Sequence, residues 1–594
     1  MNKQDADILN AIMDKEGMTQ REIAEKTGHS LGIVNRSIAN LRKDCYLDAD
    51  LHSTGKAYHE VSECAPKNAV ILAAGFGMRM VPINMEVSKA FLEVKGELLI
   101  ERLIKQLHEA GIRDITIVIG FMKEQFDYLI DEYEVDLVVN PQYGAFNNLH
   151  SLQLVSDKIC NTYILPCDIW CRNNPFRKRE FYSWYMVSKK EDFDSDVRVN
   201  RKMELVKKDS KESGNEMIGI AYLTGKAADK LKKNLNSYVK DPVYDDSFWE
   251  EALYENDRMI VESRVLGEDE AILIDTFEQL REFDNDSNNL KSDAIRIAAD
   301  ALSAQPEDIT DISVLKKGMT NRSFLFQCKG KKYIMRIPGE GTDLLINRKQ
   351  EAAVYQTVRD RDLCDPVIYI DPESGYKITE FIDNAEVCDA FDPVQVKKCM
   401  KRLREFHEMK LKVDHTFDIF HLIDFYESLW GNTPSMYRDY AATKEHVFEL
   451  QSFIKKHQKP FVLTHIDAIC DNFLFYDENG KEMLRLIDWE YSGMQDTDVD
   501  IAMFGIYSLY NKEQMDALID TYYEEGCDPS TRTKIYCYVA ACGLLWSNWC
   551  EYKKTMGIEF GEYSLRQYRY AKDYYKYAMQ EMQDLKNEKR KKKS

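Results

Sequence analysis

The stretch LTHIDAICDNFLF, Leu463 to Phe475, followed by LRLIDWEYSG, Leu484 to Gly493, decides how the C-terminal half of the chain is read. It sets His465-x-Asp467 ahead of Asn472 and then brings in Asp488 at the end of an apolar strand. Phosphoryl transfer uses those residue types in that order. One carboxylate accepts a hydroxyl proton, and an amide and a second carboxylate hold a divalent ion against phosphate oxygens. Asp467 is therefore the candidate base, and Asn472 and Asp488 are the candidate metal ligands. Chance surface polar residues rarely fall into such a pattern.

Upstream, ITDISVLKKGMTNRSFLFQCKGKKYIMRIPG (Ile309–Gly339) reads as three antiparallel strands, then a helix, then a mostly helical remainder to about Gln583. The turn within KKGMTNRSFLF is placed to cover phosphates. Arg336 stands where protein kinases carry a strand lysine, and Glu351 is its expected helix partner. Protein kinases would also show an A-P-E segment, and none occurs. This block therefore resembles the choline/ethanolamine kinases of the aminoglycoside phosphotransferase superfamily, over roughly residues 310–575. The resemblance implies an α+β two-lobed, protein-kinase-like domain that uses ATP and Mg2+.

Downstream, GLLWSNWCEY (Gly543–Tyr552) sets Trp546 and Trp549 one helical turn apart in a chain with seven tryptophans. Aromatics at helical spacing usually pack a core. Indole faces also attract a quaternary ammonium, which offers no N–H to bond. The resemblance favours the second reading, since choline kinases carry W-x-x-W at about this place. It makes Trp546, Trp549, Glu490 and Tyr552 a candidate cage for choline, with Tyr491 and Tyr563 as further walls.

A second signal lies in ILAAGFGMRM (Ile71–Met80), with Lys89 ten residues beyond Arg79. A buried strand runs into a turn where Gly75 and Gly77 let backbone N–H groups approach a triphosphate. Leu72, Ala73, Ala74, Gly75, Gly77, Arg79 and Lys89 are the candidate nucleotide-binding residues, and Arg79 and Lys89 also the candidate catalytic cations. From about Asn68 to Phe283, apolar runs alternate with helical stretches, as in an α/β domain with its ligands at the strand C-termini. This block resembles the nucleotidyltransferases that make nucleotide sugars and CDP-alcohols, above all the bacterial CTP:phosphocholine cytidylyltransferases. The resemblance implies a Rossmann-like mixed sheet and makes Asp168 and Asp275 metal ligands. Ser88-Lys89 stands where that family has Pro-Lys. Asp275 also reads as a helix N-cap ahead of TFEQLREF.

Residues 1–62 are short helical segments with a tight turn at Gly28, and they resemble a winged helix-turn-helix. Ile8, Ile12, Ile33, Val34, Ile38 and Leu41 are expected inward. Ser30, Asn35, Arg36, Ser37, Asn40 and Arg42 are expected outward, and CYLDADLHSTGKAYHEV is the expected wing. The block holds eight Lys/Arg against ten Asp/Glu through Glu60. DNA binding and a structural or dimerising role both stay open.

The whole chain of 594 residues has a net charge of -21, which argues against a protein that mainly coats nucleic acid. Fourteen scattered cysteines without a C-x-x-C pair read as reduced thiols in a cytoplasmic protein. Neither a signal peptide nor a membrane-spanning run is evident. The expected domains are 1–62, 67–286 and 292–585, with a basic tail over 586–594.

The two resemblances compose. Choline and ATP give phosphocholine, which with CTP gives CDP-choline and pyrophosphate, for decorating a bacterial surface polymer. The alternatives are the same chemistry on ethanolamine, another amino alcohol or a sugar phosphate, or a ligand-sensing transcription regulator.

Overall fold

The computed structural model describes the chain except residues 86, 209–211, 316–320, 339–344, 432, 556–559 and 592–594. The phosphate-covering turn expected around Lys316–Thr320 and the end of the basic tail lie outside the described residues. Two compact units emerge: Met1–Arg296 with Ile312–Val314, and Ile297–Asp311 with Leu315–Ser594. All fourteen cysteines are free thiols. No described helix is long and apolar enough to cross a membrane.

The first unit opens with helices α1 (Lys3–Asp14), α2 (Gln20–Thr27) and α3 (Leu31–Lys43). Thr19 and Glu22 form a capping box at the start of α2, and Gly28 ends it in the left-handed conformation. Ile8, Leu9, Ile12, Ile23, Val34, Ile38 and Leu41 form the core of this bundle, while Ile33 is only partly buried. The outward face of α3 differs from expectation. Ser37 is buried and Asn40, half-buried, donates to Asp5, while Arg42 is exposed as expected and bonds the carbonyls of Asp48 and Ala49. The wing reduces to one bridge, Leu47 to Ser53, because Gly55–Cys64 forms a helix capped by Thr54.

This bundle is docked on the α/β block that follows. Lys3 donates to the Ser263 carbonyl at 2.5 Å, Tyr182 to Asp7 at 2.8 Å and Arg179 to Asn10 at 3.2 Å, while Arg179 also pairs with Asp14. Phe181 packs against the helical core.

The α/β block is built on a mixed sheet. Asp136–Val139, Asp114–Ile119, β1 (Asn68–Ala73) and Thr162–Pro166 run parallel. Gly214–Leu223 then joins antiparallel, followed by Trp184–Asp192, Arg258–Leu266, Glu204–Lys207 and Val197–Val199. β1 is buried along its whole length, as its continuous apolar run requires for a central parallel strand. Helix Leu99–Glu109 covers one face with Leu99, Ile100, Leu103, Ile104 and Leu107.

In the second unit, Asn321–Cys328, Lys331–Pro338, Lys377–Glu380 and Val367–Ile370 pair antiparallel in that order, with helix Arg348–Val358 after the second strand. The remainder is mainly helical. Short hairpins carry residues 462–495, and the long helices Pro529–Thr555 and Glu562–Lys591 close it. Those two helices approach closely at Gly543. A Cβ there would lie 2.7 Å from the Gln567 carbonyl and 2.8 Å from the Tyr570 side chain. Glycine thus fixes the depth of the helix that bears Trp546 and Trp549.

Candidate active sites

In the first unit the glycine turn expected to bind nucleotide leaves the C-terminal end of β1. Leu72, Ala73 and Ala74 are buried, and the Ala74 carbonyl accepts the Phe121 N–H at 3.0 Å. Gly75 is exposed, and Gly77 adopts φ 59°. A side chain at Gly77 would meet Lys89 Cγ at 2.7 Å, so the glycine leaves the lysine its path across the turn.

Asp168 follows the strand Thr162–Pro166, and Asp275 reaches it through a second strand pair. Ile169 faces Leu273, and the Ile274 N–H donates to the Asp168 carbonyl at 3.0 Å. Lys89 Nζ lies between the two acids, 3.0 Å from Asp168 and in contact with Asp275, which Arg79 also pairs. Burial disfavours the ammonium, but the two carboxylates outweigh it and hold Lys89 up to about 12. Burial also opposes the charge of Asp275, yet Lys89 and Arg79 bring its carboxyl below the usual range. The helix N-cap is Thr276, in a capping box with Gln279, which leaves the Asp275 carboxylate for the two cations.

In the second unit the loop carrying Asp467 is held by a residue the sequence reading did not single out. Asp500, fully buried, accepts the N–H of His465 at 2.9 Å, the N–H of Ile466 at 2.7 Å and His407 Nε2 at 2.9 Å. Ile466 has φ 69°, a strained value for a β-branched residue, and the Asp500 bond keeps it there. His465 donates to the Ile487 carbonyl at 3.0 Å, and burial lowers it to about 4, so the ring is neutral and structural. Asn472 Nδ2 reaches the Asp467 carbonyl at 2.9 Å and its carboxylate at 3.1 Å. Desolvation, then Asp488 and Glu490, push Asp467 well above the usual carboxylate range, while desolvation and Glu490 push Asp488 to about 7.

Arg336 and Glu351 form a buried bidentate pair, one arm at 2.9 Å, and Arg336 also donates to the Gly375 carbonyl at 3.0 Å. Arg348 lies 3.0 Å from Glu351 and 3.4 Å from Glu490, so Glu490 is engaged by arginines from the strand lobe. Lys377, opposite Arg336 in the sheet and buried, is a further cation the sequence reading missed; its charge acts on Asp488.

Trp546 meets Tyr491 edge-on at 5.4 Å and Trp549 at 5.8 Å, and Trp549 lies 5.0 Å from Phe560. Both indoles are buried, and Trp546 Nε1 donates to Met503 Sδ at 3.2 Å. Tyr491 lies within the electrostatic reach of the acids: burial, Tyr426, Glu490, Asp467 and Asp488 all raise its phenol. Tyr563 is also influenced by Asp467. Tyr552 is buried without a described ring contact to either tryptophan. On the helix it lies off the line joining Trp546 and Trp549.

A divalent ion fits both places. Lys89 already sets positive charge between Asp168 and Asp275. The acids around Asp467 raise one another, so a cation among them allows all to ionise together. Among the described residues no three His, Cys, Asp or Glu side chains converge to hold an ion by themselves. That suits an ion bound by one or two carboxylates and completed by nucleotide phosphates.

Family models match three segments: winged helix-turn-helix DNA-binding over residues 1–44, MobA-like NTP transferase domain over 69–176, and choline/ethanolamine kinase over 312–525. The choline-phosphate cytidylyltransferase of Streptococcus pneumoniae is 33% identical over 192 residues, 32% of this chain and 83% of that protein. The 2-aminoethylphosphonate cytidylyltransferase of Lancefieldella rimae is 30% identical over 200 residues, 32% of this chain and 81% of that one. Among solved structures, the choline kinase LicA from Streptococcus pneumoniae is 28% identical with a TM-score of 0.42, covering 48% of this chain and 99% of its own.

Proposed function

We propose that this chain, which belongs to the nucleotidyltransferase family of the choline-phosphate cytidylyltransferases and carries a choline/ethanolamine kinase domain in the same polypeptide, makes CDP-choline from choline in two steps. ATP phosphorylates the alcohol in the kinase domain. CTP then transfers CMP to the resulting phosphomonoester in the nucleotidyltransferase, releasing pyrophosphate.

In the first step Asp467 accepts the hydroxyl proton as the alcohol oxygen attacks the γ-phosphorus, and ADP leaves. Asn472 orients the Asp467 carboxylate, and Asp500 fixes the backbone that carries it. The trimethylammonium group lies against the aromatic faces of Trp546, Trp549 and Tyr491. In the second step a phosphocholine oxygen attacks the α-phosphorus of CTP in line. Lys89 and Arg79 offer positive charge to the phosphate oxygens, and the glycine turn offers backbone N–H groups. Mg2+, when bound by Asp168 and Asp275 or by Asn472 and Asp488, neutralises charge building on the phosphates.

The observation that carries this reading is Tyr491. It adjoins Glu490 in the chain, feels the charge of Asp467, and packs edge-on against Trp546. An aromatic box and the acids of phosphoryl transfer thus share one side chain. Phosphorus NMR on each half-reaction tests it, with choline, ethanolamine and 2-aminoethylphosphonate supplied at equal concentration. Choline is expected to be phosphorylated fastest, and phosphocholine to be the preferred CMP acceptor. Faster turnover of ethanolamine would move the assignment to primary amines. Preferred cytidylylation of the phosphonate would break the link between the two steps.

A further inference from the structure

The helix Pro529–Thr555 buries two lysines in different ways. Lys534, fully buried, contacts Asp496 and lies 3.0 Å from Asp498, as a buried ammonium ordinarily requires. Lys553 is 2% exposed, yet its ammonium makes no hydrogen bond or ion pair among the described residues. It lies instead over the face of Trp549, 5.6 Å from the ring centroid.

Helical geometry explains the position. At about 100° per residue, Lys553 points within about 20° of Trp546 and about 40° of Trp549, so it falls between the two indoles. Among the described residues Glu490 favours its ammonium; burial acts more strongly and lowers its affinity for the proton. Trp549 Nε1 and Tyr491 Oη are also buried without hydrogen-bond partners among the described residues. The surroundings are therefore aromatic faces beside a set of carboxylates, which is an environment for a cation, and a cation of the chain's own is already there.

We propose that Lys553 is an internal occupant of the aromatic box, a tethered ammonium that the cationic head of a substrate must displace before it can rest on Trp549. The proposal rests on the cationic-alcohol reading of the kinase domain. A lysine held there sets a threshold: a head group that binds indole faces more strongly than a primary ammonium evicts it, and a weakly bound one does not. A quaternary ammonium, large and poorly hydrated, suits that contest better than a second primary ammonium. An anionic head group is disfavoured, because it would meet Glu490, Asp467 and Asp488.

The test uses the full chain with Lys553→Met, which keeps length and removes charge, Lys553→Gln as a second neutral variant, and Lys553→Arg, which keeps charge. Binding of choline is read by indole fluorescence, and KM from ATP-dependent phosphorylation. Both neutral variants should bind choline more tightly by roughly ten-fold, with KM falling in parallel, while Lys553→Arg stays at or above the wild-type value. The neutral isostere 3,3-dimethylbutan-1-ol should gain less than choline, which raises the preference for charge. Unchanged or weaker choline binding in both neutral variants overturns the proposal, as does loss of the folded kinase domain in both, which would make the lysine structural. If the wild-type chain phosphorylates neither choline nor ethanolamine, the kinase reading itself falls, and this inference with it.

Discussion

Replacing Lys89 with alanine should have two effects of opposite sign. In the structure its ammonium lies 3.0 Å from Asp168 and touches Asp275, with side chains 12%, 15% and 19% exposed. Without it, the two carboxylates that shared one ammonium are left unscreened, and for charges taken as ~5 Å apart at an effective dielectric near 20 their repulsion is ~3 kcal/mol. A divalent ion that relieves this repulsion no longer competes with the lysine. Mn2+ should therefore bind the variant more tightly, by up to about a hundred-fold before solvent screening. Turnover should move the other way. Removing a cation aimed at the reacting phosphates costs ~3–4 kcal/mol, or about 10²–10³ in rate. The assay is Mn2+ titration by electron paramagnetic resonance in an Asp488→Ala background, which removes the kinase site's contribution, beside CMP transfer from CTP to supplied phosphocholine. Near-normal transfer would take Lys89 out of the site. Unchanged or weaker Mn2+ binding would refute the idea that the lysine holds the place of an ion.

Asp467→Asn should lower choline phosphorylation by about 10²–10⁴ while CMP transfer to supplied phosphocholine continues; loss of both would mean the domains are not separable in function. Glu351→Gln removes the carboxylate that pairs both Arg336 and Arg348, and should cost ~3–5 kcal/mol, read as a lower urea midpoint for the kinase transition; an unmoved midpoint contradicts the buried-pair account. Trp546→Phe keeps an aromatic face but weakens its pull on a cation, so KM for choline should rise several-fold with the fold intact. An unaltered KM would return Trp546 to core packing.

What was legible in the sequence was local. The His465-x-Asp467 spacing, the strand Lys481–Leu486 that leads to Asp488 and the glycine turn after β1 are set by neighbours in the chain, and their order alone points to the chemistry. What was hidden depends on residues distant in sequence. Asp500, which holds the strained Ile466, comes more than thirty residues after the loop it supports. Its one sequence signal is the Asp496-x-Asp498-x-Asp500 run, which also reads as a solvated acidic stretch. Lys377 becomes relevant only through its pairing opposite Arg336. Glu490 reads as an acidic wall for a cation, but two arginines already engage it. Lys553 was legible in principle, since W-x-x-W-x-x-x-K puts all three on one helix face, but the spacing could not show that the lysine has no hydrogen-bond or ion-pair partner among the described residues. The outward face of α3 was misread at Ser37, which is buried, and in part at Asn40, which is half-buried, because helical periodicity does not reveal that Asp5 binds there. The wing contracted because Thr54 caps a helix within the stretch expected to form it.

The central claim is that one chain carries an alcohol through two successive phosphorus transfers. It is tested most directly by incubating the purified protein with methyl-labelled choline, ATP, CTP and Mg2+ and identifying every labelled product over time. The account predicts phosphocholine that rises and then falls as CDP-choline accumulates, with one ADP and one pyrophosphate formed for each CDP-choline. Label that remains in choline, or that stops at phosphocholine while CTP stays intact, would contradict it.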